Sequence, residues 1–217
     1  MVRIKDVAQL ANVSSATVSR VLSNKGQIRE STREKVLEAI NTLGYKPSRV
    51  ARSLRVRSSQ IIGLIISDIQ NPFFTSLVRA VEDVAHQNGY AIFLCNSDEH
   101  IEKEALYIDL MIAEQVAGVI ITTTQEAGSP CKKLLPANIP LVSIDRRVFD
   151  CEVDTVVLDN VRGAYEVVNH LIGFGHERIG VIIGSQTMTT GRERYEGYLS
   201  ALTEHGIQPE PALIRFG

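Results

Sequence analysis

Beyond residue 60 the chain alternates short, nearly unbroken runs of Ile, Val and Leu with longer stretches of helical periodicity, and few folds accept that pattern. The runs at 61–67 (IIGLIIS), 90–95 (YAIFLC), 118–122, 141–144, 153–158 and 178–183 read as strands, with an incipient one at 213–216. Between them 72–88, 102–115, 160–174 and 191–205 read as helices, and 129–135 as a short one. A strand that is apolar on both faces must be covered on both, so this part is an α/β domain on a parallel sheet. Ligands of such sheets bind beyond the carboxyl ends of the strands. Asp68, Asn71, Phe73 and Phe74 follow the first strand, Asn96 and Asp98 the second, Thr122 to Thr124 the third, and Asp145 and Arg146 the fourth. Phe73 and Phe74 can sandwich the apolar face of a sugar, while Asn71, Asp145, Arg146 and Arg194 can hydrogen-bond its hydroxyls. Taken singly these are weak signals, because a strand-end Asp is often a helix cap and paired phenylalanines are usually core.

The first 57 residues are of another kind. They hold 12 Lys and Arg against 4 Asp and Glu, a net of +8, whereas residues 58–217 hold 11 against 21, a net of −10. Such a division points to a polyanion as the partner of the front alone. Residues 4–11 place Val7 and Ala11 at i, i+4, with Ala8 and Leu10 beside them, which reads as a short helix. A second runs from Ala16 to about Leu22, capped by Ser14 or Ser15, with Val18, Val21 and Leu22 facing the first. Helices so short do not stand alone. A third completes the core: Ser31 and Glu34 have the spacing of a capping box, Val36, Leu37, Ile40 and Leu43 follow at helical spacing, and Gly44 ends the run.

Off its core face the second helix carries Ser15, Thr17, Ser19 and Arg20, short and hydrogen-bonding. In a helix-turn-helix the start of the second helix enters the major groove. There Arg20 can grip a guanine with two bonds, Ala16 can touch a thymine methyl, and Thr17 and Ser19 can serve a base edge or a phosphate. Tyr45 is the sole aromatic residue of 1–57, which disfavours stacking on single-stranded RNA and leaves duplex DNA ahead.

DVAQLANVSSATVSRVLS at 6–23 resembles the DNA-binding signature of the lactose-repressor (LacI/GalR) family, and the likeness continues through RESTREKVLEAINTLGYKPSRVARSLR at 29–55. The resemblance implies a hinge helix over about 48–56 that folds only on DNA and presses a leucine, here Leu54, into the minor groove. The residues suit that role. Ser48 is a good N-cap, Val50 and Leu54 lie at i, i+4, Arg49, Arg52, Arg55 and Arg57 offer charge to phosphates, and an apolar wedge kinks a base step. A plain basic linker is the alternative.

The remainder resembles the type I periplasmic-binding-protein fold that is the sensor of the same family. NPFF at 71–74, IDR at 144–146 and RERYEGY at 192–198 are similar to its ribose-binding members. That likeness implies sugar contacts from Asn71, Phe73, Phe74, Asp145, Arg146 and Arg194, with ribose or another small pentose or hexose as effector. The expected architecture is therefore an all-α helix-turn-helix domain with its hinge over 1–57, then the α/β domain over 58–217. The latter has a first lobe over about 60–160 and, since family members are longer, an incomplete second lobe over 161–217. A homodimer on a palindromic operator follows, because one helix-turn-helix reads one half-site; the first-lobe contribution falls on helix 72–88, around Leu77, Ala80, Val81 and Val84. The expected function is a sequence-specific transcription regulator, a repressor of carbohydrate-use genes responsive to a small sugar. A regulator that binds DNA without effector response, and a sugar-binding protein without regulatory role, are the alternatives.

Other classes fare worse. No run of apolar residues is long enough to cross a membrane, and the first residues lack the apolar core of a secretory signal. Cys95, Cys131 and Cys151 form no metal-binding spacing and read as free thiols of a cytoplasmic protein. There is no P-loop, GxGxxG, HExxH or GxSxG, and the five histidines are scattered, so neither an enzyme nor a cofactor or metal is expected.

Overall fold

Val7, Val18 and Val36, each wholly buried, are the points on which three helices meet: α1 (Ile4–Leu10), α2 (Ser15–Leu22) and α3 (Glu30–Leu43). Ala8, Ala11, Val21 and Ala39 complete this small core, whose small side chains let the helix axes approach closely. Two residues expected inside are not there: Leu10 is 53% and Leu37 46% exposed, and Ala39 takes the place on α3 given to Leu37. The capping box is also displaced. The Arg29 carbonyl accepts from Thr32 and Arg33, so α3 starts at Glu30 and Ser31 lies inside its first turn. Ile28, two residues before that start, packs against the core. Gly44, at φ 58, ends α3 in the left-handed conformation that glycine adopts without strain.

The computed structural model describes residues 2–22, 27–45 and 59–217 and divides the chain into units Met1–Arg57 and Ser58–Gly217. The hinge segment of about 48–56, with Arg49, Arg52, Leu54 and Arg55, lies outside the described residues.

In the larger unit β1 (Ile61–Ile66), β2 (Ala91–Asn96), β3 (Gly118–Ile121), β4 (Leu141–Ile144) and β5 (Asp154–Val156) form one sheet in the order β2-β1-β3-β4-β5, all pairs parallel. The unbroken apolar character of β1 has a direct cause. Leu64 and Ile66 point to one face, under Phe74, Leu77, Val78 and Val81 of α4 (Pro72–Gln87). Ile61 and Ile65 point to the other, under Ile108 and Met111 of α5 (Ile101–Ala113). Gly63 is on that second face, where a Cβ would stand 2.5 Å from the Met111 sulfur. The short helix expected between β3 and β4 is a 3₁₀ helix, Pro130–Leu134.

A second, two-stranded parallel sheet pairs β6 (Val181–Ile183) with β7 (Ile214–Phe216). Against it lie α6 (Asn160–Gly173) and α7 (Thr189–Glu204), around Val168, Ile179, Tyr198, Ala201 and Leu202. Tyr198, 1% exposed, satisfies its hydroxyl by donating to the Ile179 carbonyl at 2.9 Å. Each of these large side chains contributes roughly 1.5–3 kcal/mol by leaving water.

Candidate functional site

In the smaller unit the turn between α1 and α2 depends on two residues. Asn12 takes φ 50, which asparagine tolerates better than most side chains, and Ser14 caps α2 by accepting the Thr17 N–H at 3.1 Å. Of the residues assigned to DNA, Ala16 and Arg20 are exposed, while Ser15, Thr17 and Ser19 are half-buried. The Thr17 hydroxyl lies 3.0 Å from that of Ser14 and shares in the cap.

In the larger unit Asn71 caps α4, its Oδ1 accepting the Phe73 N–H at 3.0 Å, with Pro72 at the first helical position. Phe73 is 39% exposed; Phe74 is 4% exposed and belongs to the core. The rings meet edge to face at 5.1 Å, so Phe74 braces Phe73 from behind in place of facing it across a ligand.

Asp145 and Arg146 stand at the end of β4. Asp145 adopts φ 69, its N–H bonded to the Val156 carbonyl at 2.8 Å. Burial raises its carboxyl above the ordinary carboxylate range, against the opposing pull of Arg146 and Arg194. Arg146 extends across the strand ends, donating from Nη1 to Glu99 at 2.7 Å and to the Thr123 carbonyl at 2.8 Å, and from Nη2 to Glu99 at 2.5 Å. Burial pulls its guanidinium down, but Glu99 and then Asp145 and Glu126 outweigh that and leave it raised. Arg194, on α7, donates from Nε to Asn160 Oδ1 at 3.0 Å, and Asn160 in turn donates to Glu193.

Five buried side-chain atoms among the described residues have no hydrogen-bond partner: Ser67 Oγ, Thr122 Oγ1, Thr124 Oγ1, Asp145 Oδ1 and Arg146 Nε. All five follow the carboxyl ends of β1, β3 and β4. Buried polar atoms are nearly always paired, so these five, all beyond strand ends where ligands of parallel sheets bind, mark the region as a candidate ligand site.

Three carboxylates escaped the sequence reading. Glu99 is the partner of Arg146. Glu104, wholly buried on α5, accepts from Ser129 Oγ at 2.6 Å, the Thr124 N–H at 2.6 Å and Thr123 Oγ1 at 3.4 Å, and so shapes the loop after β3. Glu126, 6% exposed, reaches from that loop to α7 of the second sheet. It accepts the Thr189 N–H at 2.8 Å, Thr189 Oγ1 at 2.7 Å and Arg192 Nη2 at 3.3 Å. A cleft of about 550 Å³ opens there, lined by Thr124, Gln125, Phe149, Met188 and Arg192 among others. Glu104 did leave a signal, for it stands four and seven residues before Ile108 and Met111 on one helix face. Glu99 and Glu126 left none, their partners being 47 and 63 residues away. No three His, Cys, Asp or Glu side chains among the described residues are grouped to hold a metal ion, and no helix among them is long and apolar enough to cross a membrane.

The raised Asp145 carboxyl carries a prediction. Above the unfolded value of about 3.9 the folded chain holds this proton longer than the unfolded one, so stability falls as pH rises through the window up to the folded value. Asp145→Asn removes the buried charge and is expected to stabilise the chain at pH 7. The gain should shrink as the pH is lowered toward 4. Thermal melts across pH check this, and a variant less stable than the wild type at neutral pH would count against a costly charge.

Residues 3–48 match the bacterial regulatory proteins of the lacI family, and residues 59–215 match the periplasmic binding proteins and sugar binding domain of LacI family. The chain is 45% identical over 207 residues to the ribose operon repressor of Halalkalibacterium halodurans, covering 95% of this chain and 61% of that protein. To the HTH-type transcriptional repressor PurR of Actinobacillus pleuropneumoniae it is 40% identical, with 95% and 62% covered. Among solved structures, the lac repressor dimer bound to operator and the anti-inducer ONPF gives a TM-score of 0.82 at 28% identity, over 100% of this chain and 65% of that one. A periplasmic binding protein/LacI transcriptional regulator from Alkaliphilus metalliredigens complexed with D-xylulofuranose gives 0.64 at 30% identity, over 73% and 56%. The chain spans about three fifths of the length of the curated relatives it matches. With both of its units matched in family order, a lacI-type DNA-binding head followed by a periplasmic-binding-protein-like sensor, the chain belongs to the LacI family of bacterial regulators.

Proposed function

We propose that this chain is a sequence-specific transcription repressor that controls carbohydrate-use genes from a palindromic operator and responds to a small sugar, with ribose the first to test. The observation that carries the reading is the helix-turn-helix itself, in a unit of net charge +8. Ser15, Ala16, Thr17, Ser19 and Arg20 contact base edges and phosphates; Arg49, Arg52 and Arg55 serve phosphates, and Leu54 the minor groove. Two such heads act as a homodimer, in the cytoplasm, without catalysis. Effector contacts come from Asn71, Phe73, Asp145, Arg146 and Arg194, with Phe74 as support. Ribose is favoured by the name of the Halalkalibacterium relative. Ligand can shift DNA binding only through unequal affinity for two states.

The test is binding of the 217-residue chain to a palindromic operator pool at several salt concentrations, with and without ribose. Selection of one sequence, affinity falling steeply with salt and a ribose-dependent shift are the expected results. Arg20→Ala should cost roughly 1–3 kcal/mol and relax selectivity at one base pair. Affinity that ignores both sequence and ribose would sink the proposal, whereas selective binding indifferent to ribose would leave a DNA-binding regulator without this effector.

A further inference from the structure

We propose that Cys131 and Cys151 are a redox-active thiol pair, which a hydroperoxide closes to an intramolecular disulfide. The two thiols are hydrogen-bonded to each other and pack in one apolar cluster. Cys131 is wholly buried in the 3₁₀ helix, where its N–H donates to Ser129 Oγ at 3.2 Å. Cys151 is half-buried in the segment between β4 and β5. The chain beside each cysteine is tied as well. Lys132 Nζ, next to Cys131, lies 3.4 Å from Asp150 Oδ2, next to Cys151. The same Asp150 oxygen accepts the Gly128 N–H at 2.9 Å, and the Phe149 N–H donates to the Glu126 carbonyl at 2.7 Å. Residues 126–132 and 149–151 are thus held side by side, with one thiol contributed by each. Thiols in hydrogen-bonding reach, on segments already bonded to one another, meet the first demand of a disulfide, that the backbone need not travel to close it.

The two cysteines differ as a stepwise oxidation requires. Cys151 reaches solvent, so a peroxide meets it first, and its thiolate is the nucleophile. The Cys151 sulfur attacks one peroxide oxygen, the O–O bond breaks, and the departing hydroxide takes up the proton the thiol lost, leaving as water. Sulfenic acid remains on Cys151. The Cys131 sulfur then attacks the Cys151 sulfur, the S–O bond breaks, and a second water leaves with the Cys131 proton. Two thiols and one hydrogen peroxide give one disulfide and two waters. Burial raises the Cys151 thiol; the hydrogen bond from Cys131 opposes it, Asp150 adds to it and Lys132 subtracts. Burial pushes the Cys131 thiol up to about 12, with the Ser129 hydrogen bond opposing and Glu104 adding. Little thiolate therefore exists at neutral pH, and the pair registers sustained oxidant in place of a brief pulse. Once closed, the bond joins the two loops that supply Ala127 and Phe149 to the cleft.

The experiment treats the folded, reduced 217-residue chain with hydrogen peroxide at about pH 7 and about pH 8. Free thiols are then counted by alkylation in denaturant and mass spectrometry. The expected result is a fall from three free thiols to that of Cys95 alone, a peptide joining Cys131 to Cys151, and reversal by dithiothreitol. Below a thiol's pKa each pH unit multiplies the thiolate roughly tenfold, so closure should run about tenfold faster at the higher pH. Cys131→Ser should halt the reaction at Cys151, where dimedone traps the sulfenic acid. Cys151→Ser, at the more exposed position, should leave Cys131 unmodified, and it gives a second reading should the buried variant unfold. Three free thiols after treatment at both pH values overturn the inference. So do a bridge that includes Cys95, a bridge between two chains, a bridge that forms only in denaturant, and Cys151 oxidised past sulfenic acid with no bridge.

Discussion

Replacing Glu104 by alanine is expected to destabilise the larger unit by about 3–5 kcal/mol. The carboxylate lies at 0% exposure, and its partners are all neutral donors: the Thr124 N–H and the hydroxyls of Ser129 and Thr123. Truncation strands those donors in a site closed to water and leaves a cavity beside Ile108. Glu104→Gln keeps one acceptor oxygen and should cost less, roughly 1–2 kcal/mol. The loop after β3 also carries the Thr123 carbonyl that steadies Arg146 and the Glu126 side chain that reaches α7, so sugar affinity should fall with stability. Paired thermal melts and ribose titrations check this. An alanine variant melting within a degree of wild type would mean that water enters and satisfies the loop.

Gly197→Ala is expected to cost about 3 kcal/mol, at the upper end of overpacking effects. A Cβ at this position would stand 2.1 Å from the Val161 carbonyl oxygen, 2.9 Å from Ala164 Cβ and 3.0 Å from the Tyr165 nitrogen. Two of those atoms are backbone and cannot turn aside, so α6 and α7 must part and loosen the cluster around Tyr198 and Leu202. Arg194 is three residues earlier on α7, and its bond to Asn160 at the start of α6 spans the same helix pair. The contrast is Gly163→Ala, also within α6, where a Cβ meets nothing within 4 Å. There the alanine should stabilise by up to about 1 kcal/mol through helix propensity. Denaturant titration of both variants decides the matter, and equal effects would contradict the close contact at Gly197.

The architecture was legible because its signals are local. β1 is apolar throughout since it feeds a core on each face, and α4 declares its start through Asn71-Pro72. β5 is harder, all three of its residues being exposed at the sheet edge. Leu10 and Leu37 misled because helical spacing gives a face but not its width, and in a unit this small alanines fill part of the core. At the candidate effector site, residues following strands could be named from the sheet rule, whereas their partners could not. Glu99 meets Arg146 only because β2 and β4 lie in one sheet with β1 and β3 between them, an order the linear sequence does not display. Phe74 shows the reverse error, since two adjacent aromatic residues on a helix cannot both face the same side.

Glu126 ties the loop after β3 to the first turn of α7. Any swing of one sheet away from the other has to break those bonds, so on the effector reading proposed above residue 126 sets the balance between a tied and an untied arrangement. A metabolite that prefers the tied arrangement finds it already populated and binds near its intrinsic affinity; one that prefers the other is weakened by the fraction it must recover. On that same reading, the concentration at which the chain switches is adjustable at a position that need never touch the metabolite.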